Sequence, residues 1–144
     1  MTTTQSRIPY TVQVVIDCAD PHELATWWAE VLGWQVEAQD EAFIRSMIAQ
    51  GYASEAETRR YRGALVWAQG AATTHTDGVG VAPRILFAGV PEPKAGKNRV
   101  HLDLRTTEAA SAEELDRLLS LGATRLSAGQ PGPHRRGVLA DPEG

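Results

Sequence analysis

One strand–turn–helix–glycine pattern occurs twice in this chain, and that repeat limits the fold more than any other feature of the sequence. In "TVQVVIDCADPHELATWWAEVLGW", Val12, Val14 and Ile16 alternate with Gln13, Val15 and Asp17, the period of two that marks a strand. Asp20 and Pro21 read as an N-cap followed by a first-turn proline, and Glu23 complements the helix dipole. Leu24, Trp27, Trp28, Val31 and Leu32 then recur at helical spacing until Gly33 stops the helix. Downstream, in "NRVHLDLRTTEAASAEELDRLLSLGATRL", Val100, Leu102 and Leu104 alternate with Arg99, His101, Asp103 and Arg105. Ser111 and Glu114 have the spacing of a capping box, and Leu115, Leu118, Leu119 and Leu121 form the apolar stripe before Gly122. Gln13 to His101 is 88 residues and Leu32 to Leu121 is 89. Two copies of one unit predict two modules related by a pseudo-twofold axis.

The material between the copies completes the first module. Phe43, Ile44, Met47 and Ile48 predict a short helix broken at Gly51, with a further helical turn over 54–58. "RGALVWAQG" and "PRILFAGV" are strand candidates, separated by a Gly/Thr-rich stretch, "GAATTHTDGVGVA", that reads as a loop. After the second helix come "ATRLS", the loop "AGQPGPHRRG" and "VLADPEG". The expectation is therefore one α+β domain over 1–144, with module one at about 8–93 and module two at about 97–144.

Composition narrows the function classes. The chain is 42% hydrophobic and 22% charged, enough apolar material for a core. A net charge of −4 argues against nucleic acid as a partner. No apolar run approaches the ~20 residues of a membrane helix, and the N-terminal stretch lacks the apolar centre of a signal peptide. Cys18 is the only cysteine, so no intrachain disulfide forms, which fits a reducing cytoplasm. It reads as a small buried apolar residue.

His101 and Asp103 share one face of the expected strand, with Cβ atoms about 6–7 Å apart. Such a pair can act as an acid/base with its orienting carboxylate. The reading favoured here is a structural polar pair, or an ion pair of Asp103 with Arg99 or Arg105, since such pairs are common structural devices. Asp17 holds a comparable place on the first strand, so both modules can present polar groups to one shared cavity. Trp67 shares parity with Leu65 and either packs the core or lines that cavity as an aromatic wall for a planar ligand. Trp27 and Trp28 read as core between helix and sheet. His75 and His134 fall in loops and read as solvated, His22 as a surface residue at a helix start, and Lys94, Lys97, Arg99, Arg135 and Arg136 as solvated basic loops. No phosphate loop, Ser/His/Asp order or Cys cluster is present.

The stretches "DCADPHELATWWAEVLGW", "VPEPKAGKNRVHLDLR", the "LGA" after the second helix, and "DPEG" together resemble the vicinal oxygen chelate superfamily. This is the fold of glyoxalase I, extradiol dioxygenases and bleomycin-resistance proteins; the closer resemblance is to actinobacterial glyoxalase-like domain proteins. It implies two βαβββ modules forming a mixed, cupped sheet with helices outside, and a last strand after "DPEG", so that the second module is one strand short in this chain. In metal-dependent members, four ligands face the cup, two from each module. Gln13 and His101 match the first-strand ligand positions of the two modules. The last strand of the first module, around Phe87 and Ala88, offers no carboxylate. A catalytic divalent site needs about three protein ligands, so a metal is possible but disfavoured, and the cofactor is unknown. The resulting expectation is a cytoplasmic small-molecule-binding protein with a degenerate metal site, its ligand held in the cup by Gln13, Asp17, Trp67 and Arg105, with His101 and Asp103 as catalytic candidates. The alternatives are a metal-dependent lyase or dioxygenase, and a dimeric interaction module without ligand. A homodimer is possible; nucleic acid and membrane are not expected as partners.

Overall fold

The computed structural model describes residues 9–127 and 137–144. Strand β1 (Val14–Cys18) leads through Asp20 into helix α1 (Pro21–Leu32), and both ends of the helix follow their residue chemistry. The Asp20 carboxylate accepts from the Glu23 N–H at 3.3 Å. Gly33 takes the left-handed conformation, φ 67°, and the Trp34 N–H reaches back to the Ala29 carbonyl at 2.9 Å. Glycine accepts that conformation without the clash a Cβ brings. Strand β2 (Gln35–Val36) and helix α2 (Glu41–Ala49) follow, α2 ending before Gly51 as its apolar spacing predicts. A single 3-10 turn covers Glu55–Glu57, then come β3 (Thr58–Tyr61), β4 (Ala64–Trp67), β5 (Gly70–Thr74) and β6 (Ile85–Gly89). Helix α3 (Ser111–Ser120), β7 (Thr124–Ser127) and β8 (Val138–Ala140) complete the order.

The main sheet has the order β1-β6-β5-β2, with β1 parallel to β6 and the other pairs antiparallel. β3 and β4 form a separate hairpin, as do β7 and β8. The fold is therefore mixed α+β, as expected. Helix α1 covers one face of the main sheet. Phe87, Ile85, Ala71, Cys18, Leu24 and Ala25 form the core between them, and Trp28, Trp34 and Leu102 pack on its margin. Cys18 is buried as predicted; burial first, and then the acids Glu143, Asp20, Asp141 and Asp17, push its thiol up to about 12. No helix among the described residues is long and apolar enough to cross a membrane.

Three expectations about local structure need correction. Residues 70–74, read as loop, are the interior strand β5. Their glycine, alanines and threonines give no alternation of large apolar side chains, yet their small size lets α1 approach until the Thr73 hydroxyl donates to the Ala25 carbonyl at 2.8 Å. Residues 98–105, read as a strand, have no regular secondary structure. Leu102 does pack against the core, but Val100 is 76% exposed and Leu104 46%. Alternation selects a strand only where a neighbouring strand completes the ladder, and none does so here among the described residues. The third is the helix start at 111: Ala110 occupies the N-cap position, the Ser111 hydroxyl donates to the Glu108 carbonyl, and Glu114 bonds Arg117 instead of closing a capping box. Strand β3 was not anticipated at all, because "TRRY" carries no apolar alternation.

The second half of the chain is tied to the first by specific groups. Trp27 Nε1 donates to the Leu121 carbonyl at 2.7 Å, and Trp28 Nε1 to an Asp141 carboxylate oxygen at 3.0 Å. The two indoles are thus half-buried braces as well as packing groups. Arg117 donates to the Glu30 and Val31 carbonyls at the end of α1. The Glu143 carboxylate receives the N–H groups of Ala19 and Asp20, so the "DPEG" turn caps the β1–α1 connection.

Candidate functional site

Strand parity divides the main sheet into two faces. Val14 and Ile16 pair with Ile85 and Phe87, which pair in turn with Thr73 and Ala71; these rows face α1. The alternate rows, Val15–Leu86–Ala72 and Asp17–Ala88–Gly70, face away from the helix. Gln13 and Arg84 stand one residue before β1 and β6 on that second face, where the Val14 N–H bonds the Arg84 carbonyl at 3.0 Å. Val15 is 53% exposed and Asp17 is exposed, so the face is open along β1.

The charged end of this open face is a network. Arg84 donates from Nε and Nη2 to the two oxygens of Glu37, at 2.8 and 2.9 Å. Its Nη1 donates to the Gln13 amide oxygen at 3.0 Å. The hydrogen bond from the Arg84 guanidinium holds the Glu37 carboxyl below its usual range, partly opposed by desolvation. Bidentate pairing fixes the guanidinium plane, so the Gln13 side chain is oriented with its oxygen already engaged. Asp17, at the other end of the face, has no ion pair among the described residues.

The remaining predicted residues lie elsewhere. Trp67 ends β4 on the separate hairpin, its N–H on the Gln39 side-chain oxygen at 2.8 Å and its carbonyl on His22 Nε2 at 2.7 Å. His101, Asp103 and Arg105 are exposed in the irregular segment, and His101 Nε2 lies 3.2 Å from the Asn98 carbonyl. Among the described residues no hydrogen bond or ion pair joins His101 to Asp103, Asp103 to Arg99 or Arg105, or Gln13 to His101. Both loop and surface readings of histidines need revision. His22 is 3% exposed, its ring 5.1 Å from that of Tyr61. His75 is half-buried edge-on to Trp34, its Nδ1 accepting the Asp77 N–H. His134 lies outside the described residues.

The family model of the glyoxalase-like domain matches residues 13–144. The chain belongs to the glyoxalase-like domain family. This places it, as the sequence markers imply, in the vicinal oxygen chelate superfamily. No curated protein matches it. Among solved structures it is similar to TioX from Micromonospora sp. ML1, a crystal structure, at 16% identity over 92% of each chain and a TM-score of 0.45.

Among the described residues, no three His, Cys, Asp or Glu side chains converge. The Gln13 oxygen, which the resemblance implies as a ligand, already accepts from a guanidinium, and a cation placed there would meet that positive charge. Sequence reasoning missed Arg84 and Glu37. Arg84 carried a usable signal, since Arg84, Leu86 and Ala88 share parity while Ile85 and Phe87 form the buried set. Glu37 carried none, because its place depends on how β2 meets β5.

Proposed function

We propose that this glyoxalase-like domain is a small-molecule-binding protein whose metal position is degenerate, with the open face of the main sheet carrying the ligand. The observation that supports this reading most is the Arg84 guanidinium seated on the Gln13 amide oxygen and clamped by Glu37. It converts a would-be metal position into a fixed set of hydrogen-bond donors. Val15, Leu86 and Ala88 supply apolar surface beside it, and Asp17 a hydrogen-bond acceptor. In the same reading His101, Asp103, Arg105 and Trp67 come to the ligand from the second module and the β3–β4 hairpin. The two modules, a cytoplasmic setting and a homodimer belong to this proposal as well.

The test is metal analysis of protein purified without chelator, alongside a ligand screen read by tryptophan fluorescence. Substoichiometric metal, equal in wild type and His101→Ala, with saturable ligand responses abolished by Arg84→Ala, is the expected result. Stoichiometric metal that His101→Ala removes would favour the metal-dependent lyase or dioxygenase reading instead.

A further inference from the structure

On the other side of the main sheet from the open face, α1 turns a second stripe outward. Glu23, Thr26, Trp27 and Glu30 recur at i, i+3, i+4 and i+7, so they lie along one side of the helix. With Leu24, Arg62, Pro142 and Glu143 they line a cleft of about 210 Å³. Its aromatic wall is fixed in advance. The Trp27 indole is pinned by its N–H on the Leu121 carbonyl and by an edge-on contact with Trp28, ring centres 5.3 Å apart.

Two of the carboxylates around the indole are uncommitted. Glu23 and Glu30 are exposed, and among the described residues neither carboxylate has a hydrogen bond or ion pair. Glu143 differs, since its carboxylate already holds two backbone N–H groups. Of the hairpin arginines only Arg62 lines this cleft, and it has no ion pair among the described residues, whereas Arg59 pairs with Asp20 and Arg60 lies 3.9 Å from Glu41 outside it. Arg62 is also the one non-glycine at positive φ among them, 49°, followed by Gly63 at 84°. That two-residue turn favours asparagine, aspartate or glycine at its first position. The tight turn that closes the Tyr61–Ala64 pairing sets this conformation, and it holds the Arg62 side chain at the tip of the hairpin. Its guanidinium rests over the Tyr61 ring, 5.3 Å from the centroid, and Tyr61 is in turn joined to Thr26 through their hydroxyls at 3.2 Å.

We propose that this cleft binds a free diamino carboxylic acid, the class that includes lysine and ornithine. Two open carboxylates and one guanidinium complement a ligand with two ammonium groups and one carboxylate. The carboxylate sits on Arg62, the ammonium groups go to Glu23 and Glu30, and the methylene chain lies along Trp27 with Leu24 and Pro142 beneath. An indole face between two carboxylates suits a cation on an apolar stem.

The experiment is a titration followed by the Trp27 indole N–H resonance at constant ionic strength, with L-lysine, norleucine and cadaverine as probes. Norleucine lacks the side-chain ammonium and cadaverine lacks the carboxylate. L-Lysine should give a saturable shift, and each of the other two should bind about tenfold more weakly, the cost of one lost charged contact. Glu30→Gln and Arg62→Asn should each weaken L-lysine by a similar factor. The asparagine suits the turn, so an unchanged or raised melting temperature shows that the fold is intact. No saturable shift with L-lysine, an equal response to all three probes, or undiminished binding in both variants would overturn the assignment.

Discussion

Single side chains set the close approaches on which the sheet and helix depend. Thr73 is fully buried, and its hydroxyl meets the Ala25 carbonyl inside the α1–sheet interface. Thr73→Val keeps the shape and removes the donor, so it should cost about 1 kcal/mol of unfolding free energy by urea titration. No measurable loss would mean that the bond is replaced in solution. Arg84 and Glu37 predict a dependence on pH. The Glu37 carboxyl is held below its ordinary 4.5 by the Arg84 guanidinium. A carboxyl depressed on folding contributes stability above its unfolded pKa and loses it as pH falls through the folded one. Wild type should therefore exceed Glu37→Gln in stability at pH 7, and the gap should close as pH drops below about 4.5. Both side chains are partly exposed, 29% and 43%, so the gap should be under about 1 kcal/mol and shrink in high salt. A gap that persists at pH 2–3 would show that packing, not charge, distinguishes the two proteins.

Elements were legible where local chemistry alone decides them. Helix α1 needed nothing beyond its cap, its apolar stripe and Gly33, all local signals, and its structure spans Pro21–Leu32 between Asp20 and that glycine. Asp20→Ala should cost about 1 kcal/mol as a lost cap, and somewhat more because Arg59 loses its partner carboxylate. A melting temperature unchanged in Asp20→Ala would contradict the capping account. Elements that depend on a distant partner were not legible. β5 is a strand because β2 and β6 flank it and α1 presses on it, while Gly70–Thr74 taken alone has the composition of a loop. The reverse holds for 98–105, where strong alternation has no ladder to join. Native-state hydrogen exchange separates the two cases. Amides of Ala71–Thr73 should be among the best protected, and those of Val100–Leu104 should exchange many times faster. Protection of alternate amides in 100–104 at the level of β5 would instead establish a further strand ladder. The same division explains the candidate site: the parity of Gln13, Asp17 and Arg84 is local and readable, whereas the approach of Glu37 to Arg84 follows from strand order.

At the scale of the whole molecule, the second half of the chain is held to the first mainly by polar clasps. Helix α3 has no fully buried residue, although Leu115, Leu118 and Leu119 form its apolar stripe. Area burial at roughly 25 cal/mol per Å² therefore gives this helix little hold on the core, and more of the hold falls to named hydrogen bonds. The Glu143 carboxylate is the most concentrated of these, since one side chain accepts both N–H groups at the β1–α1 connection. Glu143→Gln keeps the size but leaves a single acceptor oxygen, and Glu143→Ala removes both. Charge-assisted bonds of this kind are worth about 1.5–3 kcal/mol each when desolvated, and less where exposed. Stability should thus fall in the order wild type, Gln, Ala. The loss should appear first as faster limited proteolysis within 98–127, while β1, β5 and β6 keep their exchange protection. Uniform loss of protection across the main sheet would mean that the two halves fold as one unit, with the clasp contributing to a single cooperative core rather than joining two parts.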